Sequence, residues 1–229
     1  MVDKFHITRR RLIGAGAATG LGLLLGACGL EDGGSAEAGT ADPDAGWSGT
    51  LVDPPFTKPD VTFTDFNGKP FPFKEKTEGR LTMLFFGYTS CPDVCPVYLN
   101  TLASALDAID SGPGSRPIVL FVGVDVARDT PKKMKEYLGQ IDDSFIGLTA
   151  EEPVIAKAIA HLKLGQPVIH EPDKDGNYAV DHPAGIIVFS PDNLGHRIFP
   201  ANVRQKDWVK DLPRLDEGIY RTDQDAEHS

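Results

Sequence analysis

Apolar residues along the chain follow two patterns, and the two alternate. Nearly continuous apolar runs predict buried strands, and they fall at residues 80–88, 118–124 and 186–189. Apolar positions mostly three or four apart predict a helix at residues 97–109, and further helices are predicted at residues 130–139, 149–164 and 204–212. Alternating strands and helices predict an α/β fold, in which a mixed central sheet is flanked by helices.

Turn residues add two hairpins to this pattern. Asn67-Gly68 separates apolar residues 61–63 from 71–73 and predicts a hairpin that extends the fold at its N-terminal side. The long connection 165–183 is predicted to contain another hairpin. The resulting order of elements is thioredoxin-like, with an N-terminal β-hairpin extension.

Helix-capping residues define two of the helix starts. Thr130-Pro131 supplies an N-cap followed by proline at the first helical position. Thr149 with Glu152 has the spacing of a capping box. Both helices are therefore predicted to begin at these pairs.

Composition narrows the classes of function. The 229 residues include 33 acidic and 23 basic ones, for a formal net charge of −10. An acidic chain is a poor match for nucleic acid or for an anionic surface. Three cysteines leave one thiol outside any pairing within the chain.

The N-terminus has the pattern of an export signal. Lys4 and Arg9-Arg10-Arg11 precede the apolar segment 12–25, which is shorter than the roughly 20 residues that span a bilayer. The arginines resemble a twin-arginine motif, and Leu25-Gly26-Ala27-Cys28 resembles a bacterial lipobox. We therefore expect cleavage before Cys28, lipidation of Cys28, and anchoring to the outer, extracytoplasmic face of the cell membrane. An uncleaved signal anchor is the alternative.

These features divide the chain into four parts. Residues 1–27 are the predicted signal peptide, and 28–49 a predicted lipidated tether, rich in Gly, Ala, Asp and Glu. Residues 50–221 are predicted to form the folded domain. Residues 222–229 are predicted to be a disordered tail.

The residues that carry chemistry follow the first central strand. Three residues separate Cys91 from Cys95, at the predicted start of a helix. A helix N-terminus stabilises a thiolate. On a helix their Cβ atoms would lie about 5–6 Å apart, which favours a shared metal ion over a disulfide without excluding either.

Two sulfurs leave a metal ion undercoordinated, so a third ligand is expected. The candidates are histidines at positions 161, 170, 182 and 196. His182 is favoured because it directly precedes the strand at 186–189, which neighbours the cysteine loop in a thioredoxin-like fold.

Three motifs together resemble the SCO/SenC family of copper chaperones. They are the runs 87–96 (GYTSCPDVCP), 124–131 (VDVARDTP) and 178–182 (YAVDH). The resemblance implies a thioredoxin-like fold and one copper ion, Cu(I) or Cu(II), bound by Cys91, Cys95 and His182. It also implies a role in assembling the dinuclear copper centre of cytochrome c oxidase.

The chain departs from the family pattern at two places. Val126-Ala127 stands where Pro-Glu is more usual, and Pro183 follows His182 where a small residue is commoner. The second change raises the hypothesis of a cis His182–Pro183 bond.

Four acidic residues are expected close to the metal ligands. Asp93, Asp125 and Asp181 are candidates to orient them, and capping the helix is the alternative for Asp93. Arg128 and Asp129 are expected to form a surface ion pair.

Three functions remain in consideration. The first is copper delivery to the copper-centre subunit of cytochrome c oxidase, with a copper-donating chaperone or a thiol reductant as further partners and no nucleic acid. The second is thiol–disulfide exchange by Cys91 and Cys95, which would keep the oxidase cysteines reduced. A peroxidase that uses the same thiols is the third.

Overall fold

The apolar runs of the sequence form the centre of a mixed sheet. The computed structural model describes residues 46–92, 94–109 and 116–222. Its strands are β1 (Thr50–Thr57), β2 (Thr62–Asp65), β3 (Pro70–Pro72), β4 (Thr82–Gly87), β5 (Ile118–Gly123), β6 (Ile146–Thr149), β7 (Val168–Ile169), β8 (Val180–Asp181), β9 (Ile186–Phe189) and β10 (Leu194–Phe199). Its helices are α1 (Phe73–Lys76), α2 (Val94–Ala108), α3 (Pro131–Gly139), α4 (Glu152–His161) and α5 (Gln205–Asp216).

Eight of these strands form one sheet in the order β1-β10-β9-β4-β5-β6-β2-β3. Strands β4, β5 and β6 are parallel, and the remaining neighbours pair antiparallel. Parallel strands end at the same edge of a sheet, so the loops that follow β4 and β5 lie side by side there. The predicted hairpins are confirmed: β2 pairs with β3, and β7 pairs with β8 in a small second sheet.

Alternate residues of the central strands feed two apolar cores. Met83 and Phe85 of β4 pack on the side of helices α2, α3 and α5. Leu84 and Phe86 pack on the other side, with α1 and α4. Because both faces of β4 are buried, the strand reads as a continuous apolar run, as predicted.

The two outer strands of the sheet carry prolines. Strand β1 contains Pro54 and Pro55, and β3 contains Pro70 and Pro72. Proline has no backbone N–H to offer a further strand, so these edges are poor templates for pairing with another chain. The prolines also conceal β1 from pattern analysis, which did not predict that strand.

Two helix starts test the capping predictions. Thr130 is the N-cap of α3, and its side chain accepts a hydrogen bond from the backbone N–H of Lys133. The capping box at Thr149 is wrong: α4 has Glu151 as its N-cap, without a side-chain bond. Thr149 ends strand β6 instead, and its hydroxyl donates to the Thr64 carbonyl at 3.3 Å.

Residues 46–49, which the sequence assigned to the tether, contact the domain. The ring of Trp47 lies between two guanidinium groups, 4.0 Å from that of Arg197 and 3.6 Å from that of Arg214. The N–H of Ser48 donates to Asp211 at 2.8 Å. The predicted signal peptide and residues 28–45 lie outside the described residues. Within the described part, no helix has the length and apolarity needed to cross a membrane.

Candidate metal centre

Strand β4 delivers Cys91 and Cys95 to the edge where the parallel strands end. Gly87 closes the strand opposite Gly123 of β5. The chain then turns, and the N–H of Cys91 donates to the carbonyl of Tyr88 at 3.2 Å. Cys95 lies in the first turn of α2 and is fully buried, whereas Cys91 is half-buried. Both residues are thiols rather than a disulfide.

His182 lies beside this pair. Its Nε2 lies 3.8 Å from the Cys95 sulfur, although 87 residues separate the two along the chain. Strand β9, which His182 precedes, pairs directly with β4 and brings the histidine to the cysteine loop. The preference for His182 over the other three histidines thus agrees with the geometry.

Local contacts hold the imidazole in one orientation. The ring packs edge-on against Phe85 and Tyr88, with centroids 5.9 and 5.6 Å away. Its Nδ1 lies 3.2 Å from the Pro183 carbonyl oxygen. A proton on Nδ1 donates to that oxygen and leaves the lone pair on Nε2, facing the sulfur. This is the tautomer that binds a metal ion through Nε2.

The buried cysteine holds its proton tightly. Burial raises the pKa of the Cys95 thiol well above its usual range, and its hydrogen bond with the Cys91 side chain raises it further. Burial also raises the pKa of Tyr88, and the neighbouring Cys91 adds to that effect. For Cys95, burial therefore works against the stabilisation of the thiolate that is expected from the helix N-terminus.

The donor set fits a soft metal ion, but it is only partly assembled. Two sulfurs and one imidazole suit Cu(I), and they also suit Cu(II) or Zn(II). Among residues 46–92, 94–109 and 116–222, no three His, Cys, Asp or Glu side chains already stand at metal-binding spacing. Cys95 contacts both of the others, His182 at 3.8 Å and Cys91 through a side-chain hydrogen bond, so the three side chains have to rearrange around one ion to bind it.

Asp125 is fully buried at the end of β5 and serves the neighbouring connection. It forms an ion pair with Arg128 and accepts a hydrogen bond from the Tyr178 hydroxyl at 3.1 Å. The Arg128 guanidinium lies 3.5 Å from the centroid of the Tyr178 ring and donates to the Tyr178 carbonyl. Asp125 thus ties the β5–α3 loop to the segment that leads to His182.

The predicted ion pair between Arg128 and Asp129 is wrong, because Arg128 binds Asp125. Asp129 is 3% exposed and points under the cysteine loop, where one of its oxygens accepts hydrogen bonds from Thr89. Burial raises the pKa of Asp129. Sequence reasoning missed this contact, because Thr89 and Asp129 are 40 residues apart and neither belongs to a local capping pattern.

Asp181 does not orient His182 as predicted. Its carboxylate lies 2.8 Å from Nε2 of His170, on the exposed side of β8. Successive side chains of an extended chain point to opposite sides, so Asp181 and His182 diverge. The remaining histidines also have other partners: His161 donates to the Thr57 carbonyl at 3.0 Å, and His196 lies 2.7 Å from Asp192.

Three further expectations concern the His182–Pro183 bond, Asp93 and Cys28. The His182–Pro183 bond is trans, since the cis bond among the described residues is Asp53–Pro54, so the cis hypothesis is wrong. Asp93 and Cys28 lie outside the described residues.

Comparison with known proteins places this site in a family. The SCO1/SenC family model matches residues 51–216. An SCO2-like protein of Rickettsia conorii is 36% identical over 123 residues, which cover 54% of this chain and 59% of that protein. The chain spans about half the length of the curated relatives it matches.

Solved structures extend the likeness to the fold. ScoI of Bradyrhizobium japonicum, solved with copper bound, is 34% identical, with a TM-score of 0.60 over 70% of this chain and 99% of that one. Yeast Sco1 with copper bound is 25% identical, with a TM-score of 0.65 over 76% and 95% of the two chains. The fold is therefore thioredoxin-like, as expected. Since the family model matches most of its length, this chain belongs to the SCO1/SenC family.

Proposed function

We propose that this protein binds one copper ion through Cys91, Cys95 and His182, and that it delivers copper to, or prepares, the dinuclear copper centre of cytochrome c oxidase. The observation that carries the proposal is the 3.8 Å approach of the Cys95 sulfur to Nε2 of His182. Family membership supports it, since two relatives of the same fold were solved with copper bound.

The site suits transfer as well as binding. Cys95 and His182 form its inner side, whereas Cys91 is half-buried and reachable from solvent. An incoming thiolate of an acceptor subunit can replace the Cys91 sulfur first, so that copper keeps sulfur ligands throughout the exchange. Soft thiolates hold Cu(I) well enough to prevent its loss to water during this step.

In this proposal the N-terminal segment determines where in the cell the protein is held. Cys28 is lipidated after cleavage, and the domain is held at the outer face of the bacterial membrane, near the oxidase. Export of the wild-type chain with incorporation of labelled palmitate, and loss of that label in Cys28→Ser, would support this part. Label retained in Cys28→Ser would contradict it.

The test is an anaerobic titration of the mature chain carrying Cys28→Ser with Cu(I), Cu(II) and Zn(II). We expect one copper per chain, and a loss of affinity of about 100-fold or more in Cys91→Ser, Cys95→Ser and His182→Ala. His170→Ala is the matched control, because this exposed histidine binds Asp181 and should leave affinity unchanged. Wild-type affinity in His182→Ala, or a preference for zinc, would contradict the proposal.

Thiol–disulfide exchange is the second candidate, and one observation favours it. Cys91 is accessible while Cys95 lies buried beside it, so an external disulfide can reach only the first sulfur. This activity needs both cysteines but not His182. Full reduction of an oxidase-derived disulfide peptide by His182→Ala, without copper binding, would favour exchange over delivery.

A further inference from the structure

Asp129 places a buried carboxylate directly beneath the loop that carries Cys91. Its Oδ1 accepts hydrogen bonds from the backbone N–H of Thr89 at 2.8 Å and from the Thr89 hydroxyl at 2.7 Å. Its Oδ2 accepts from the backbone N–H of Asp125 at 3.0 Å. One carboxylate therefore connects the loop after β4 to the loop after β5.

The fold makes room for this carboxylate at Gly123. A Cβ atom at position 123 would lie 2.7 Å from Cβ of Asp129 and 2.9 Å from its Oδ2. Those separations are shorter than van der Waals contact, so only glycine allows Asp129 to press against the end of β5. The backbone of Asp129 is fixed as well, because its N–H donates to the Asp125 carbonyl at 2.8 Å.

The carboxylate at this position depends on its hydrogen bonds. Asp129 is 3% exposed, and the nearby guanidinium of Arg128 binds Asp125 instead. A buried carboxylate is costly unless hydrogen-bond donors satisfy it. The strong bonds to Thr89 therefore hold both the carboxylate and the loop in one arrangement.

We propose that Asp129 is a positioning residue of the copper site: by holding Thr89, two residues before Cys91, it sets where the Cys91 sulfur lies relative to Cys95 and His182. The role of Asp129 in copper binding rests on the proposed function, whereas its contacts do not depend on it. Cys91 is the half-buried ligand and lies on the loop that Asp129 holds, so a change at Asp129 reaches the site through this sulfur.

The test compares Asp129→Asn with a matched control elsewhere in the fold. Asparagine has the same shape, but its amide group replaces one acceptor oxygen with an N–H donor. It therefore cannot accept hydrogen bonds from both Thr89 and the backbone N–H of Asp125. Asp142 is the control, since it accepts from the N–H of Ser144 at 2.8 Å and from the Ser144 hydroxyl at 2.6 Å, in the turn between α3 and β6. The other Asp142 oxygen pairs with Arg116 at 2.5 Å, so Asp142→Asn disturbs a carboxylate with partners on both oxygens, away from the cysteines.

Two readouts separate positioning from general stability. The first is copper affinity, with the energy of the sulfur-to-Cu(II) absorption band. The second is the alkylation rate of Cys91 in the metal-free protein, measured by mass spectrometry. We expect Asp129→Asn to lower copper affinity about tenfold, shift the absorption band and change Cys91 alkylation at least threefold. Asp142→Asn should lower the melting temperature without changing either readout.

Thr89→Val keeps the proposal testable should Asp129→Asn fail to fold, because it removes only the hydroxyl donor and should give a smaller change of the same kind. Copper affinity, absorption band and alkylation rate that match those of Asp142→Asn would overturn the proposal. If the wild-type protein binds no copper, the proposed function fails, and the alkylation rates of the metal-free variants still decide the role of Asp129.

Discussion

Two loops leave neighbouring parallel strands at the same edge of the sheet, and they are built differently. The loop after β5, residues 124–130, is closed by an ion pair and a helix cap of its own, and Asp125 and Arg128 also contact Tyr178. Arg128 pairs with Asp125 three residues earlier, and Thr130 caps the helix that follows. The loop after β4, residues 88–92, has a backbone bond from Cys91 to Tyr88, and it is also held from a distance, by Asp129 below it and by the Cys95–His182 contact beside it.

This difference distinguishes a loop that supports the fold from a loop that carries a residue of the site. A loop closed by its own residues has a shape that depends little on ligands. A loop held by a few distant contacts can change when one sulfur is moved or bound. Cys91, a proposed copper ligand, lies on the second kind of loop, and the first kind supplies Asp129, the carboxylate that holds it.

The largest predicted effect comes from opening the self-closed loop. Arg128→Met leaves the fully buried Asp125 carboxylate without its cation, and we expect the free energy of unfolding to fall by about 3 kcal/mol. Urea denaturation measures this change. Arg204→Met is the matched control, because Arg204 forms an ion pair with Asp207 at the same three-residue spacing but is 69% exposed. The control should lose less than about 1 kcal/mol, and equal losses would contradict the contrast between the loops.

A smaller effect is expected from filling the space that joins the two loops. In Gly123→Ala the new methyl group meets Asp129 and Met134, each at 2.7 Å, and overpacking should cost about 2 kcal/mol. Copper affinity should fall as well, because Asp129 is displaced. Gly165→Ala, where no atom lies within 4 Å of the new Cβ, should be nearly neutral. Equal changes in the melting temperatures of the two variants would argue against tight packing between Gly123 and Asp129.

The two thiols of the site should differ in reactivity. The pKa of Cys95 is raised by burial, so at neutral pH few of its thiols are ionised, and the thiolate is the reactive form. We expect Cys91 to react with iodoacetamide at least about ten times faster than Cys95 in the metal-free protein, a difference equivalent to about 1.4 kcal/mol. Peptide mass spectrometry between pH 7 and 9 measures both rates, and equal rates at pH 7 would refute the assignment.

The smallest effect should come from the helix cap of the self-closed loop. Thr130→Ala removes the acceptor for the Lys133 N–H and should lower the free energy of unfolding by about 1 kcal/mol, with copper affinity unchanged. Lys132→Ala is the control in the same helix, since this side chain is 86% exposed. A loss of copper affinity in Thr130→Ala would mean that the two loops are more tightly coupled than their contacts indicate.

Much of the architecture could be predicted from the sequence because its determinants are local. The run around Met83 to Phe86 identified β4, and Asn67-Gly68 identified the β2–β3 hairpin. Thr130-Pro131 identified the start of α3. Strand β1 was missed because its prolines remove the usual pattern, and the capping box at Thr149 was wrong because that residue completes a strand.

The site, too, could be predicted from the sequence only in part. By itself, the sequence determined the spacing of Cys91 and Cys95, their place after a buried strand, and the family motifs, since each depends on neighbours along the chain. Only the tertiary structure decided which side chains meet: His182 reaches Cys95 through the pairing of β9 with β4, Asp129 reaches Thr89, and Asp181 turns to His170. The physical reason is that hydrogen bonding and burial depend on distance in space, and residues 40 or 87 positions apart become neighbours only when the sheet forms.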